Sequence, residues 1–209
     1  MFSRNFLNSA VVNALILVSL SHNAMANTTA EFQQAKQEFR LAKDEKQIEL
    51  NAEKFKQQLQ QNPGQALLML YSGAATSKLA MTTILPWKKL SFAEDGLAMI
   101  DKALHLFASQ KHDVAAEIEA KFVAANTFLA VPEFMNRKQR GQQLLEELAN
   151  HQALNSVEPN LAASILLKAA QQATSAKNFT LARHYLNQIL NTQNALQPQA
   201  QAMLKGLPS

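Results

Sequence analysis

The 209-residue chain contains no cysteine. That excludes disulfides, thiolate metal sites and a cysteine nucleophile, and it removes the residue a bacterial lipoprotein needs beside its cleavage site. Glycine and proline are sparse, at five and six, and there is one tryptophan. Alternating β-branched runs are missing, which argues against strands. After Glu158 there is no acidic residue, although four basic ones follow. Beyond the N-terminal region, no apolar run comes near the ~20 residues a membrane-crossing helix requires.

The N-terminal region has the order of a secretory signal peptide. Arg4 is the only charge before the mostly apolar run from Ala10 to Leu20, and Ala24-Met25-Ala26 places two small residues one apart where a signal peptidase reads. Cleavage is expected after Ala26, giving a periplasmic or secreted product without a membrane span. The apolar run is about half the length of a membrane anchor. Removing 26 of 209 residues leaves 183, enough to bury a core without disulfide staples and economically read as one domain, 27–209. The remaining 19 basic and 16 acidic residues are too balanced for a nucleic-acid footprint, which needs a dense basic stripe.

Alanine, leucine, glutamine, lysine and glutamate dominate the rest, a helical composition. Apolar residues recur at three and four, as in Leu97, Ile100, Leu104 and Phe107, so each stripe must pack on another helix. Breaks fall at Asn62-Pro63-Gly64, Leu85-Pro86, His112-Asp113, Val131-Pro132, around Pro159, at Lys177-Asn178 and at Gln197-Pro198. These predict an all-α chain of about eight helices after the leader. Asp113 and either Asn178 or Thr180 are expected N-caps.

Small residues recur in pairs. Ala170 and Ala182 lie twelve apart across a predicted turn, Gly73 and Gly96 twenty-three apart, and Ala125 and Gly141 sixteen apart. Two helices joined by a turn approach closely only where both carry small side chains. This pattern resembles the tetratricopeptide repeat, with units near 64–109, 113–150 and 160–193, the first carrying an eleven-residue insertion that includes Ile84 to Lys89 and the second a longer loop at 131–136. The resemblance implies helix hairpins stacked as a short α-solenoid, with a binding face on the first helix of each pair. Carried over, that face holds Leu70, Ser77 and Lys78, then Phe122 and Asn126, then Leu167, Gln171 and Thr174, a mixture suited to an extended peptide or a helix.

Trp87 follows Pro86 and precedes Lys88 and Lys89. The indole is expected to cover the open end of a helix pair with both lysines in water; an exposed contact for a partner is the other reading. Arg137, Lys138 and Arg140 open a helix, where positive charge opposes the dipole and calls for an acidic neighbour.

No catalytic constellation emerges. Histidines 105, 112, 151 and 184 lie too far apart for a zinc pair on one helix face. Glu94 and Asp95, Glu117 and Glu119, and Glu146 and Glu147 point in diverging directions and read as solvated helix faces. The expectation is a non-enzymatic protein- or peptide-binding scaffold without a cofactor. The alternative is a small-molecule or lipid carrier or enzyme with a pocket between helices near Trp87.

Overall fold

The computed structural model describes residues 30–109 and 111–208. The expected leader and its cleavage site lie outside these residues. The described chain is all helical. Residues 30–41 form α1; α2 is Glu45–Gln61, α3 Ala66–Thr82, α4 Pro86–Ser109, α5 Val114–Ala130, α6 Lys138–Ala149, α7 Pro159–Ser175, α8 Phe179–Leu190 and α9 Gln197–Lys205. Short 3-10 turns, Glu133–Met135 and Gln152–Ser156, precede α6 and α7.

Nine α-helices among the described residues exceed the expected eight because the break at 42–44 carries neither glycine nor proline. It is made by side-chain capping instead. Asp44 accepts the Gln47 amide at 2.9 Å, and the Gln47 side chain accepts the Lys43 amide at 3.0 Å, a near relative of the capping box. The expected caps form as well: Asp113 accepts from Ala115 N–H at 3.3 Å, and Asn178, rather than Thr180, accepts from Leu181 N–H at 3.1 Å.

α3 pairs with α4, α5 with α6 and α7 with α8, while α3 also packs on α2 and α5, and α6 on α7. α3 is buried almost all round, through Leu68, Leu70, Tyr71, Gly73, Ala75, Ser77 and Leu79 among others, as a central helix must be. α4 instead buries one stripe, Ala93, Gly96, Leu97, Ile100, Ala103 and Phe107.

The small-residue pairs sit where the helices touch. A Cβ on Gly73 would lie 2.7 Å from the Gly96 carbonyl oxygen, and one on Gly96 would meet Ser77 Oγ and stand 2.5 Å from the Gly73 carbonyl oxygen. A Cβ on Gly141 would come within 3.1 Å of the Ala125 carbonyl oxygen. Ala170 and Ala182 are fully buried.

The expected eleven-residue insertion is not a loop. α3 runs to Thr82, α4 begins at Pro86, and only three residues separate them. Proline at the first helical position starts a helix rather than breaking one, since its missing N–H has no intrahelical partner there. The extra residues are helical and lie beyond the crossing, so that α4 spans 24 residues where α6 and α8 span 12.

Candidate functional site

A cleft of about 630 Å³ lies between α1, α3, α5 and the first turn of α7. Each helix contributes one stripe. From α3 come Tyr71, Ala74, Lys78 and Met81; from α5, Glu119, Phe122, Asn126 and Ala130; from α7, Leu161 and Ser164. The spacing of three and four keeps each set on one helix face.

α1 forms one wall with Gln33, Lys36, Phe39 and Arg40. It is held there by aromatic packing. Phe32 and Phe39 meet Phe55 and Tyr71 edge-on, with ring centroids 5.6 to 6.1 Å apart, an arrangement that favours contact between ring edge and face. Lys78 fastens the C-terminal end of α1. Its ammonium donates to the Phe39 carbonyl at 3.1 Å and the Ala42 carbonyl at 2.9 Å, and lies 4.9 Å from the Phe39 ring centre. These carbonyls are the negative end of a helix dipole, suited to a cation. Burial nevertheless pulls the Lys78 ammonium below its ordinary pKa.

Lys36, Tyr71 and Glu119 bring three helices together on the cleft wall. Glu119 Oε1 accepts from Lys36 Nζ at 2.6 Å and from the Tyr71 hydroxyl at 2.6 Å. Lys36 also lies 5.6 Å from the Tyr71 ring centre. Burial, then the Glu119 charge and hydrogen bond, push the Tyr71 hydroxyl well above its ordinary pKa, so it stays a neutral donor. Arg40 is exposed at the rim and forms no ion pair among the described residues.

Glu119 is therefore not the solvated acid expected from its spacing. Glu117 diverges from it as helical geometry requires, toward His112 at 2.7 Å and Lys121 at 2.9 Å. Lys121 also binds Glu147 at 2.5 Å, tying α5 to α6. Burial alone would raise the Glu117 pKa, but the hydrogen bonds and charges of Lys121 and His112 together bring it below the ordinary value.

Four of the eleven predicted contact residues line the cleft: Ser77, Lys78, Phe122 and Asn126. Ser77 does so with its hydroxyl buried against Gly96 and without a hydrogen-bond partner. Leu70 is fully buried in the core shared with α4. Leu70, Gly73 and Ser77 are three and four apart, so positions counted from Gly73 fall on the face that meets α4. The cleft face, beginning at Tyr71, is rotated by one residue, about 100°.

Leu167 is buried among α6, α7 and α8 side chains. Gln171 and Thr174 are half-buried and do not line the cleft, and the Thr174 hydroxyl donates back to the Ala170 carbonyl at 2.8 Å. Trp87, Lys88 and Lys89 lie on the first turn of α4, all exposed and outside the cleft. Trp87 is 70% exposed, so it does not cover a helix-pair end. The reason is again the helical start at Pro86, which turns the indole outward.

The acidic neighbour expected for the α6 start is Asp101 of α4. It binds Arg137 at 2.8 Å and Arg140 at 2.5 Å, and both guanidinium groups lie over the Phe128 ring. Lys138 alone of the three is exposed, 3.7 Å from the Glu133 carboxylate. No group of three histidine, aspartate or glutamate side chains placed to hold a metal occurs among the described residues.

Comparison of the chain with family models, with curated proteins and with solved structures finds no match in any of the three.

Proposed function

We propose that this is an exported, non-enzymatic scaffold protein of tetratricopeptide-like helix hairpins, which holds an extended peptide or protein segment in the cleft between α1, α3, α5 and α7. One observation carries the reading. The first helices of successive hairpins each turn one mixed apolar and polar stripe into a shared cleft. Phe122, Met81 and Leu161 offer apolar contact, while Asn126, Arg40 and Ser164 offer hydrogen bonds, the combination that reads alternate side chains and backbone of a bound segment.

The test is selection from a displayed peptide library, followed by titration of an enriched peptide. Asn126→Trp fills the cleft from a half-buried position and is expected to weaken binding at least about tenfold, or 1.4 kcal/mol. Undiminished affinity would reject the cleft as the site. Lys78→Glu is a poor probe, because it would also release the end of α1. Export is checked by N-terminal sequencing of the product in the producing cell, expected to begin at Asn27.

The cleft volume supports a second reading. About 630 Å³ falls within the range of roughly 300–1,000 Å³ common to small-molecule sites. A carrier would use this cleft rather than the surroundings of Trp87. Native mass spectrometry of the protein from its producing cell would show a retained small molecule or lipid that Asn126→Trp releases.

A further inference from the structure

The turn between α3 and α4 concentrates exposed apolar side chains. Nine large hydrophobic residues are exposed among the described residues, and four of them, Met81, Ile84, Trp87 and Leu90, fall within ten positions of sequence here. Ile84 is 84% exposed and Trp87 70%. Trp87 and Leu90 are three apart on α4 and share a face. Lys88 and Lys89 stand among them, exposed and without an ion pair among the described residues. From Lys54 to Ala93 the chain has five lysines and no acid, and the next acids, Glu94 and Asp95, follow one turn beyond Leu90 on α4.

We propose that this tip docks on the surface of an anionic lipid bilayer, with Ile84, Trp87 and their aliphatic neighbours at headgroup level. Indole has an apolar body and a polar N–H, the combination that partitions to a membrane interface. Lysine stems lie along apolar surface while their ammonium groups stay among anionic headgroups. No described helix is long and apolar enough to cross a membrane, so the contact is peripheral. Charge disfavours a second copy of the chain as the occupant. A two-fold contact with its axis at the tip would bring four ammonium groups, Lys88 and Lys89 of each copy, close together.

The single tryptophan of the chain serves as the reporter. The purified protein is mixed with vesicles of phosphatidylethanolamine and phosphatidylglycerol, or of phosphatidylcholine alone, and followed by sedimentation and indole emission. Anionic vesicles should sediment the protein and shift its emission to the blue, and raising salt from about 0.1 M to about 0.5 M should reverse both. Lys88→Gln with Lys89→Gln should lower partitioning roughly tenfold or more. Lys102→Gln with Lys205→Gln, equal in charge but elsewhere, should leave it unchanged. Trp87 is exposed, so Trp87→Ala should keep its helical circular dichroism while sedimenting less. Absence of binding, equal binding to neutral vesicles, or equal loss in both lysine pairs would overturn the proposal. So would a blue shift that follows protein concentration without vesicles, which would identify a second copy as the occupant.

Discussion

The α3–α4 and α7–α8 hairpins solve the same packing problem differently. In α7–α8 the small residues at the crossing are Ala170 and Ala182, and the turn is tight. Lys177 takes the left-handed conformation at φ 59°, Asn178 N–H donates to the Ala173 carbonyl at 2.8 Å, and Lys177 N–H to the Thr174 carbonyl at 2.9 Å. This is a Schellman closure with lysine where glycine is usual. Asn178 then caps α8 at once. In α3–α4 the pair is Gly73 and Gly96, and the two backbones are too close for any Cβ. The helices run on past the crossing and end in an exposed apolar tip. The closer the two backbones approach, the smaller the residue the crossing admits: glycine on both helices in α3–α4, alanine on both in α7–α8.

Gly96→Ala should break the comparison most severely. The added methyl meets Ser77 Oγ and the Gly73 carbonyl, rigid neighbours inside a packed interface, and roughly 3 kcal/mol of stability should be lost, measured by urea unfolding. A loss within a few tenths of a kcal/mol would show that α4 can shift away from α3. At the corresponding site of the other hairpin, Ala182→Gly removes only a buried methyl and adds backbone freedom, with an expected cost of about 1–2 kcal/mol.

Between the hairpins, the Glu117 cluster sets a pH dependence. Its carboxyl has a folded pKa below the ordinary 4.5. It therefore contributes stability fully present above 4.5 and lost as pH falls through the folded value. Glu117→Gln should flatten unfolding free energy against pH in that acid window by roughly 1 kcal/mol. An unchanged slope would remove Glu117 from the account. The smallest effect is a gain. Lys177→Gly relieves the left-handed strain and should stabilise α7–α8 by about 0.5–1 kcal/mol, seen as a higher Tm.

Local chemistry made much of this legible in the sequence. Paired small residues located the helix contacts at Gly73 and Gly96 and at Ala125 and Gly141, short polar side chains located the caps at Asp113 and Asn178, and Phe122 and Asn126 fell on the face that lines the cleft. Three features escaped for physical reasons. The α1–α2 break depends on side-chain capping rather than on glycine or proline. Pro86 both ends a segment and starts a helix, so the α4 extension passed for a loop. The Lys36–Tyr71–Glu119 group joins residues up to 83 positions apart, and no local spacing encodes that meeting.

Hydrogen exchange with and without a selected peptide is the most direct test of the cleft as a binding site. The account predicts slowed exchange in α1, along the α5 segment from Glu119 to Ala130, and at the first turn of α7, with α4 and α8 unchanged. Protection confined to α4 and α8, or none despite saturating peptide, would contradict it.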